Sequence, residues 1–462
     1  MTLASYVDKL KSRRVAIIGI GVSNTPLLEL LARSGVCVLA CDKKEQPLPE
    51  EKMGELRALG VSFSLGEAYL EHLDGADLIF RTPGLRPDVP QLAAAQARGA
   101  EITSEMEAFF EVCPCPILAV TGSDGKTTTT TIIAELLHSA GYTVHVGGNI
   151  GQPLLCQADE MRPEDYAVLE LSSFQLMTMR TSPHIAVVTN LAPNHLDVHR
   201  DMAEYVSAKA NIFRYQSPSD VAVFNLDNDV TLSQSRDAVG KVRLFSRRAE
   251  PEEGVFLRDD AIMARYGGTE RQIMTLSDIR LPGMHNVENY MAAIAAVEGL
   301  VPDECIRRFA QEFAGVEHRI EWVRTYRGVR YYNDSIASSP SRTIAGLRSF
   351  TQKVILIAGG YDKHIPFDVL GPEIVSHVKT LVLCGATADR IEEAVKAAPG
   401  YREGFPEILR VSPFEKAVEE ARDHAEEGDV VTLSPACAAF DQFKNFMERG
   451  KTFKTIVNRW QE

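Results

Sequence analysis

No stretch of this 462-residue sequence approaches the roughly 18 consecutive apolar residues of a membrane-spanning helix. The nearest N-terminal candidate, VAIIGIGV, follows Lys9, Lys11, Arg13 and Arg14 but is short and ends in a glycine turn. A signal peptide needs a longer apolar stretch and a small-residue cleavage site. The run therefore reads as the first β-strand of a cytoplasmic protein with no membrane insertion. Positive charge is also scarce, with 49 Lys and Arg against 63 Asp and Glu and a net charge of −14. Phosphate backbones reward clustered cations, so no nucleic-acid partner is expected. An anionic small molecule needs only a local positive site and stays open. None of the eight cysteines (Cys37, Cys41, Cys113, Cys115, Cys156, Cys305, Cys384 and Cys437) forms a CxxC pair. Several, including Cys37, Cys41 and Cys384, lie in apolar strand-like surroundings, which predicts buried reduced thiols rather than a zinc site. Short-period repeats and low-complexity segments are missing too. What remains is 45% hydrophobic and 24% charged, an ordinary folded composition. At about 150 residues per domain, the length suggests three domains.

Short apolar runs alternate with helical patterns throughout, which predicts an α/β fold built from parallel sheets. RRVAIIGIGVSNTPLLELLARSG followed by VCVLACD reads as strand, glycine turn, helix and strand. DLIFRTPG adds a strand before an alanine-rich helix, and a proline-broken linker after EMEAFFEV places the first boundary near residue 110. The middle block carries PILAVTG, TVHVGG, YAVLELS, HIAVVTN and VAVFN, then the helix NVENYMAAIAAVEG, with the second boundary near 315. VRYYND, KVILIAGG, TLVLCGAT and DVVTLSP repeat the theme in the last block. The reading is three α/β domains in series, 1–110, 111–315 and 316–462.

The sharpest chemical signal is AVTGSDGKTTTT. Gly122 and Gly125 let backbone amides turn toward phosphate oxygens, and the following helix N-terminus adds its positive dipole. Lys126 can reach the terminal phosphates and Thr127 can ligate magnesium. Val120 occupies the first glycine position of the common GxxxxGK[ST] form. In the earlier turn Gly19-Ile20-Gly21, Asp42 sits near the acidic position of a dinucleotide site, but Asn24 replaces the third glycine. That turn fits a sugar nucleotide and a purely structural βαβ crossover equally well.

Glu170 in LELSSFQL ends an apolar strand, where it can help hold magnesium or lie exposed in solvent. His195, Asp197 and His199 in NHLDVH leave another strand end, as a solvated loop or as ligands beside the phosphate site. Lys209, beside the apolar helix face of Tyr205, Ala208, Ile212 and Phe213, can snorkel or be buried, neutral and nucleophilic. In the last block Asp334, Lys363 and SPACAAFDQF all follow strand ends. Ordinary loop composition explains each alone; their shared position argues for one site.

The set TGSDGKTT, LELSSFQL, NHLDVH, LPGMHNVEN, EHRIE, YYNDS and SPACAAFDQFKNFMERG resembles the Mur ligase family over essentially the whole chain. LELSSFQL and SPACAAFDQF favour its D-glutamate-adding branch. The resemblance implies an N-terminal Rossmann-like UDP-binding domain, a central P-loop ATPase-like domain and a C-terminal Rossmann-like amino-acid-binding domain. It also implies ATP as co-substrate, Mg2+ as cofactor, and UDP-N-acetylmuramoyl-L-alanine and D-glutamate as the partners joined in peptidoglycan precursor synthesis. The acceptor carboxylate would be activated as an acyl phosphate, and a monomer is expected.

By the same resemblance, Gly122, Ser123, Asp124, Gly125, Lys126, Thr127 and Thr128 cradle the ATP phosphates. Asn286 and Asn289 would meet adenine, Arg319 a phosphate and Asp334 the ribose, with His318 in the same interdomain segment. Thr127, Glu170, His195 and a carbamylated Lys209 would ligate magnesium, with Lys126, His195 and Lys209 carrying catalysis. Val22, Ser23, Asp42, Thr82, Gly84, Asn149, Ser172 and Gln175 would bind the UDP-sugar. Ser338, Lys363, Phe440 and Phe446 would bind D-glutamate. Two departures stand out: Ile336 replaces a frequent lysine and Ala439 a frequent serine, with Arg342 as a compensating cation. A folylpolyglutamate synthase would share the ATP domain but lack the N-terminal unit. A nicotinamide-dependent oxidoreductase rests only on the first GxG and Asp42, and a non-catalytic nucleotide-binding module would leave the strand-end groups unused.

Overall fold

Five short strands open the computed structural model: β1 (Arg14–Ile18), β2 (Cys37–Asp42), β3 (Ser62–Leu65), β4 (Leu78–Phe80) and β5 (Glu101–Thr103). They pair in parallel in the order β3-β2-β1-β4-β5. Every residue is described except Val22, Leu196, Asp197, Lys363, His364 and Glu462. Four of the five residues of β1 are buried, as expected of a parallel strand covered on both faces. Burying each aliphatic side chain of this kind contributes about 1.5–3 kcal/mol. Cys37 departs from the expectation of burial, because it starts β2 on the exposed phase of the strand. All eight cysteines are free, and Cys41, Cys115, Cys384 and Cys437 are buried.

The second sheet comprises β6 (Ile117–Thr121), β7 (Val144–Gly148), β8 (Tyr166–Glu170), β9 (Ile185–Val188), β10 (Val221–Asn225), β11 (Lys241–Ser246), β12 (Gly254–Arg258), β13 (Ala261–Tyr266) and β14 (Thr269–Thr275). Its order is β14-β13-β12-β11-β10-β9-β6-β8-β7, antiparallel only among β12, β13 and β14. The wholly buried β6 lies between β8 and β9, so the loops after all three leave the same edge. Ligands gather at such strand C-termini. A continuous apolar core joins the first two sheets, from Leu3 and Ile17 through Phe109 and Leu155 to Leu169 and Phe224.

The third sheet holds β15 (Glu321–Tyr326), β16 (Val329–Asn333), β17 (Val354–Ala358), β18 (Val378–Leu383), β19 (Glu407–Arg410) and β20 (Val430–Leu433), in the order β15-β16-β20-β17-β18-β19. Only the β15–β16 pair is antiparallel. The chain packs as two compact units, Met1–Leu276 with Glu288–Phe309, and Ser277–Val287 with Ala310–Glu462. Among the described residues no helix is long and apolar enough to cross a membrane.

Candidate active site

The buried strand β6 delivers the chain into Gly122 and Gly125, both at positive φ. A Cβ on Gly122 would lie 1.9 Å from Thr189 Oγ1, and one on Gly125 2.3 Å from Asn289 Oδ1. Glycine is therefore required at both places by close approach as well as by backbone conformation. The helix Lys126–Ser139 follows directly, presenting its N-terminus at this loop. Lys126 Nζ curls back onto the carbonyls of Gly122 (3.0 Å) and Ser123 (2.9 Å). Ser123 Oγ lies 2.9 Å from the Tyr205 hydroxyl and accepts from the Ala192 amide. The Asp124 amide donates to Asn190 Oδ1, which braces the loop against the end of β9.

Glu170 closes β8 beside this loop and is 2% exposed. Thr127 Oγ1 donates to one of its oxygens at 2.6 Å and Asn149 Nδ2 to the other at 2.7 Å. Lys209 comes from the helix Met202–Arg214, capped by Asp201 on the Glu204 amide. It does not snorkel. Its side chain is buried, donating to Thr121 Oγ1 (3.0 Å) and the Gly122 carbonyl (2.8 Å), with Nζ over the Tyr205 ring. Burial first and the charge of Lys126 second push its pKa well below the ordinary lysine value, against the opposing pull of Glu170 and Asp124.

His195 takes a left-handed backbone conformation, its ring edge-on to Phe174 at 5.1 Å. Among the described residues, no three His, Cys, Asp or Glu side chains gather as a metal cluster. The oxygen pair of Thr127 and Glu170 nevertheless suits a hard divalent cation beside phosphate, and a carbamate on Lys209 would add an oxygen of the same kind.

In the first turn, Asp42 accepts the amides of Ile20 (2.7 Å) and Lys44 (2.8 Å). Asn24 donates to the carbonyls of Ile18 and Gly19, so its side chain ties down the turn in place of the missing third glycine. Ser23 precedes the helix Asn24–Arg33 without a side-chain cap bond, and Val22 lies outside the described residues. Thr82 packs against Gly19, which brings the RTPG loop onto that turn, while Gly84 faces open space. Ser172 and Gln175 form a reciprocal capping box on the short helix Ser173–Leu176.

Sequence reading missed two arginines that fasten these loops together. Arg81 is 1% exposed and donates to the carbonyls of Thr82, Pro83 and Leu85 in its own loop. It also reaches the Phe174 carbonyl (3.0 Å) and Thr178 Oγ1 (3.3 Å). Arg86 grips Glu204 through both carboxylate oxygens and the Val198 carbonyl at 2.6 Å. His199 stacks on Phe174 and contacts Ser173 Oγ at 2.9 Å. The signal available was an arginine at each end of TPGL, which composition alone does not separate from a surface pair.

The remaining residues divide between the units. Asn289 bonds Thr129 in the first unit, beside Gly125. Asn286 belongs to the second unit and donates to the Pro282 carbonyl. His318 contacts Asn333 at 2.9 Å, its ring edge-on to Phe446, while Arg319 beside it is half-buried. Asp334 is buried, accepting from Ser434 Oγ (2.8 Å) and the Ile320 amide (3.3 Å), and burial pushes its carboxyl up to about 7. Ser338 is half-buried in the turn after β16. Phe440 is 61% exposed, with the Tyr361 ring edge-on at 5.8 Å. Lys363 lies outside the described residues. Arg342 is exposed and donates to the Ile336 carbonyl.

Three family descriptions match in order: the Mur ligase MurD-like N-terminal domain at 13–104, the Mur ligase middle domain at 120–297, and the Mur ligase glutamate ligase domain at 318–437. A protein of Acetivibrio thermocellus named UDP-N-acetylmuramoylalanine--D-glutamate ligase is 54% identical over 459 residues, covering 99% of this chain and 98% of that one. The chain belongs to the Mur ligase family. Relatives of the same name from Clostridium novyi and Clostridium kluyveri are 50% and 51% identical, each covering at least 97% of both chains. The UDP-N-acetylmuramate-alanine ligase of Thermotoga maritima shares the fold of this Mur ligase at 18% identity and a TM-score of 0.57, covering 96% of this chain and 99% of that one. The N-terminal match sets aside the folylpolyglutamate synthase reading, and the family as a whole sets aside the oxidoreductase.

Proposed function

We propose that this Mur ligase uses ATP to join D-glutamate to the carboxylate of UDP-N-acetylmuramoyl-L-alanine, a step of peptidoglycan precursor synthesis in the cytoplasm. The observation that carries the reading is the phosphate loop Gly122–Thr128 set beside Glu170 and the buried Lys209, in a chain 54% identical to a ligase of that name. A carboxylate resists attack by an amine because attack adds negative charge to an anionic group. Transfer of the terminal phosphoryl group to the acceptor carboxylate gives an acyl phosphate and ADP. The amine then attacks the acyl carbon, forming the amide and expelling phosphate.

Lys126 and the amides of residues 122–128 stabilise charge on the phosphoryl oxygens, and the N-terminus of the helix they begin adds to this. Thr127 and Glu170 would hold magnesium, with His195 and the carbamate of Lys209 completing the set. When bound, the ion supplies charge neutralisation on the phosphate oxygens. The Lys209 amine, once deprotonated, adds to carbon dioxide, forming an N–C bond and releasing one proton. Val22, Ser23 and Asp42 of the first glycine turn would bind the UDP-sugar, with Thr82, Gly84 and Asn149 at its phosphate or sugar and Ser172 and Gln175 at its muramoyl-alanine portion. Asn286, Asn289, Arg319 and Asp334 serve the nucleotide, and Ser338, Lys363, Phe440 and Phe446 the amino acid. Functional division at 110/111 and 315/316 and a monomeric state complete the reading.

Acceptor labelled with oxygen-18 in its carboxylate tests the chemistry. One labelled oxygen should leave with each inorganic phosphate. Unlabelled phosphate accompanying full amide formation contradicts the acyl-phosphate route.

A further inference from the structure

Arg449, on the helix Phe446–Arg459 of the second unit, is 2% exposed. Its Nε donates to Ser335 Oγ (3.0 Å), one terminal nitrogen to the carbonyls of Ser335 (2.9 Å) and Cys437 (3.0 Å), and the other to that of Ala438 (3.2 Å). Every acceptor is neutral, and no described carboxylate forms an ion pair with the guanidinium. Burial lowers its pKa to about 10, which leaves it protonated at neutral pH. Asp441 pulls on it electrostatically without forming an ion pair, and the neutral acceptors are its hydrogen-bond partners among the described residues.

The two turns that Arg449 joins follow β16 and β20, which are neighbours in the third sheet. One turn carries Ser338 and the other Ala439 and Phe440. Gly360, after β17, packs against the same group: a Cβ there would lie 2.4 Å from the Ala438 carbonyl and 3.1 Å from the guanidinium. In a trans peptide the carbonyl and the following N–H point in opposite directions. The Ala438 carbonyl points into Arg449, so the Ala439 amide points away from it. The Ala439 carbonyl accepts from Gln442 and Phe443, so the Phe440 amide points away from both. Neither amide donates to a described residue. Two adjacent donors thus stand on peptide units ordered by a buried positive charge.

We propose that Arg449 is a positioning residue for the amino-acid substrate: it fixes the Ser335 and Cys437–Phe440 turns so that their outward amides, backed by its charge, receive a carboxylate. It does so in a chain where Ala439 offers no hydroxyl. Arg342 is exposed and donates to the Ile336 carbonyl. The proposal rests on D-glutamate being the amine joined.

The test is steady-state kinetics of the full-length enzyme with each of its three substrates varied in turn. Arg449→Lys keeps the charge but loses the fork that spans both turns. It should raise KM for D-glutamate about tenfold while KM for ATP and for the UDP-sugar stays within about twofold. Ser335→Ala removes one of the four bonds and should give a smaller rise, about threefold, in the same constant alone. An unchanged KM for D-glutamate in folded Arg449→Lys overturns the proposal, and so does an equal rise in all three constants. If thermal melting shows Arg449→Lys unfolded, Ser335→Ala decides, and an unchanged KM for D-glutamate there overturns it. Wild-type enzyme lacking D-glutamate-dependent turnover overturns the functional reading and this inference together. Wild-type turnover with an unaltered Arg449→Lys overturns only the inference.

Discussion

Lys126 donates to two carbonyls of its own loop, a role that backbone bonds and water can replace in the folded state. Its charge matters far more when phosphate oxygens develop charge. Lys126→Ala should lose about 3 kcal/mol of transition-state stabilisation, on the order of a hundredfold in kcat, with little change in melting temperature. Near-normal turnover by the folded variant contradicts the phosphate role. Lys209 offers a complementary test. Lys209→Arg keeps a positive charge and cannot become a carbamate, so it should be nearly inactive, whereas Lys209→Ala should regain part of its activity with added acetate or formate. Full activity of Lys209→Arg argues against the carbamate. Glu105 allows a pH test away from the chemistry. It is buried, accepts the Leu155 amide at 3.1 Å, and desolvation raises its carboxyl to about 7. The folded state therefore holds a proton that the unfolded state has released between about pH 4.5 and pH 7, so stability falls as pH rises through that window. Glu105→Gln should remove this slope, and relative to wild type it should gain up to about 3 kcal/mol between pH 4 and pH 8. Parallel stability–pH curves for the two proteins would refute the assignment.

At the scale of elements, the strands that carry the site were legible because buried parallel strands are continuous apolar runs. PILAVTG, YAVLELS and HIAVVTN became β6, β8 and β9; Gly122 follows β6, Glu170 ends β8, and the segment with His195 follows β9. The hairpins β12–β14 were not legible. Arg258 and Arg265 cover Phe256 and pair with Glu250 and Glu270, so these strands lack the continuous apolar run of a buried strand. Asn24 broke the glycine pattern, yet its side chain makes the tie that the turn needs. Arg81 and Arg86 were invisible for a different reason: their partners Phe174, Thr178 and Glu204 lie about a hundred residues away. The Arg86–Glu204 pair links the loop after β4 to the helix that carries Lys209. Both side chains are partly exposed, so a double-mutant cycle on Arg86→Ala and Glu204→Ala should give a coupling of about 1 kcal/mol. A coupling indistinguishable from zero would show that the Val198 carbonyl and packing alone hold the loop.

For the whole molecule, the order of the three family domains and the strand-end motifs point to one reaction, activation of a carboxylate followed by capture with an amine. Ile336 and Ala439 stand where the family pattern frequently has polar side chains, in turns tied together by Arg449. Those ties run through main-chain carbonyls, which a motif of side chains does not reveal. The most direct measurement is phosphate release from ATP in the presence of UDP-N-acetylmuramoyl-L-alanine, comparing D-glutamate, L-glutamate and L-lysine as the amine. Release should require the acceptor, be stimulated by D-glutamate above the other two, and match amide formed mole for mole. Release that is indifferent to the acceptor, or an efficiency with L-glutamate or L-lysine about tenfold above that with D-glutamate, would contradict the account.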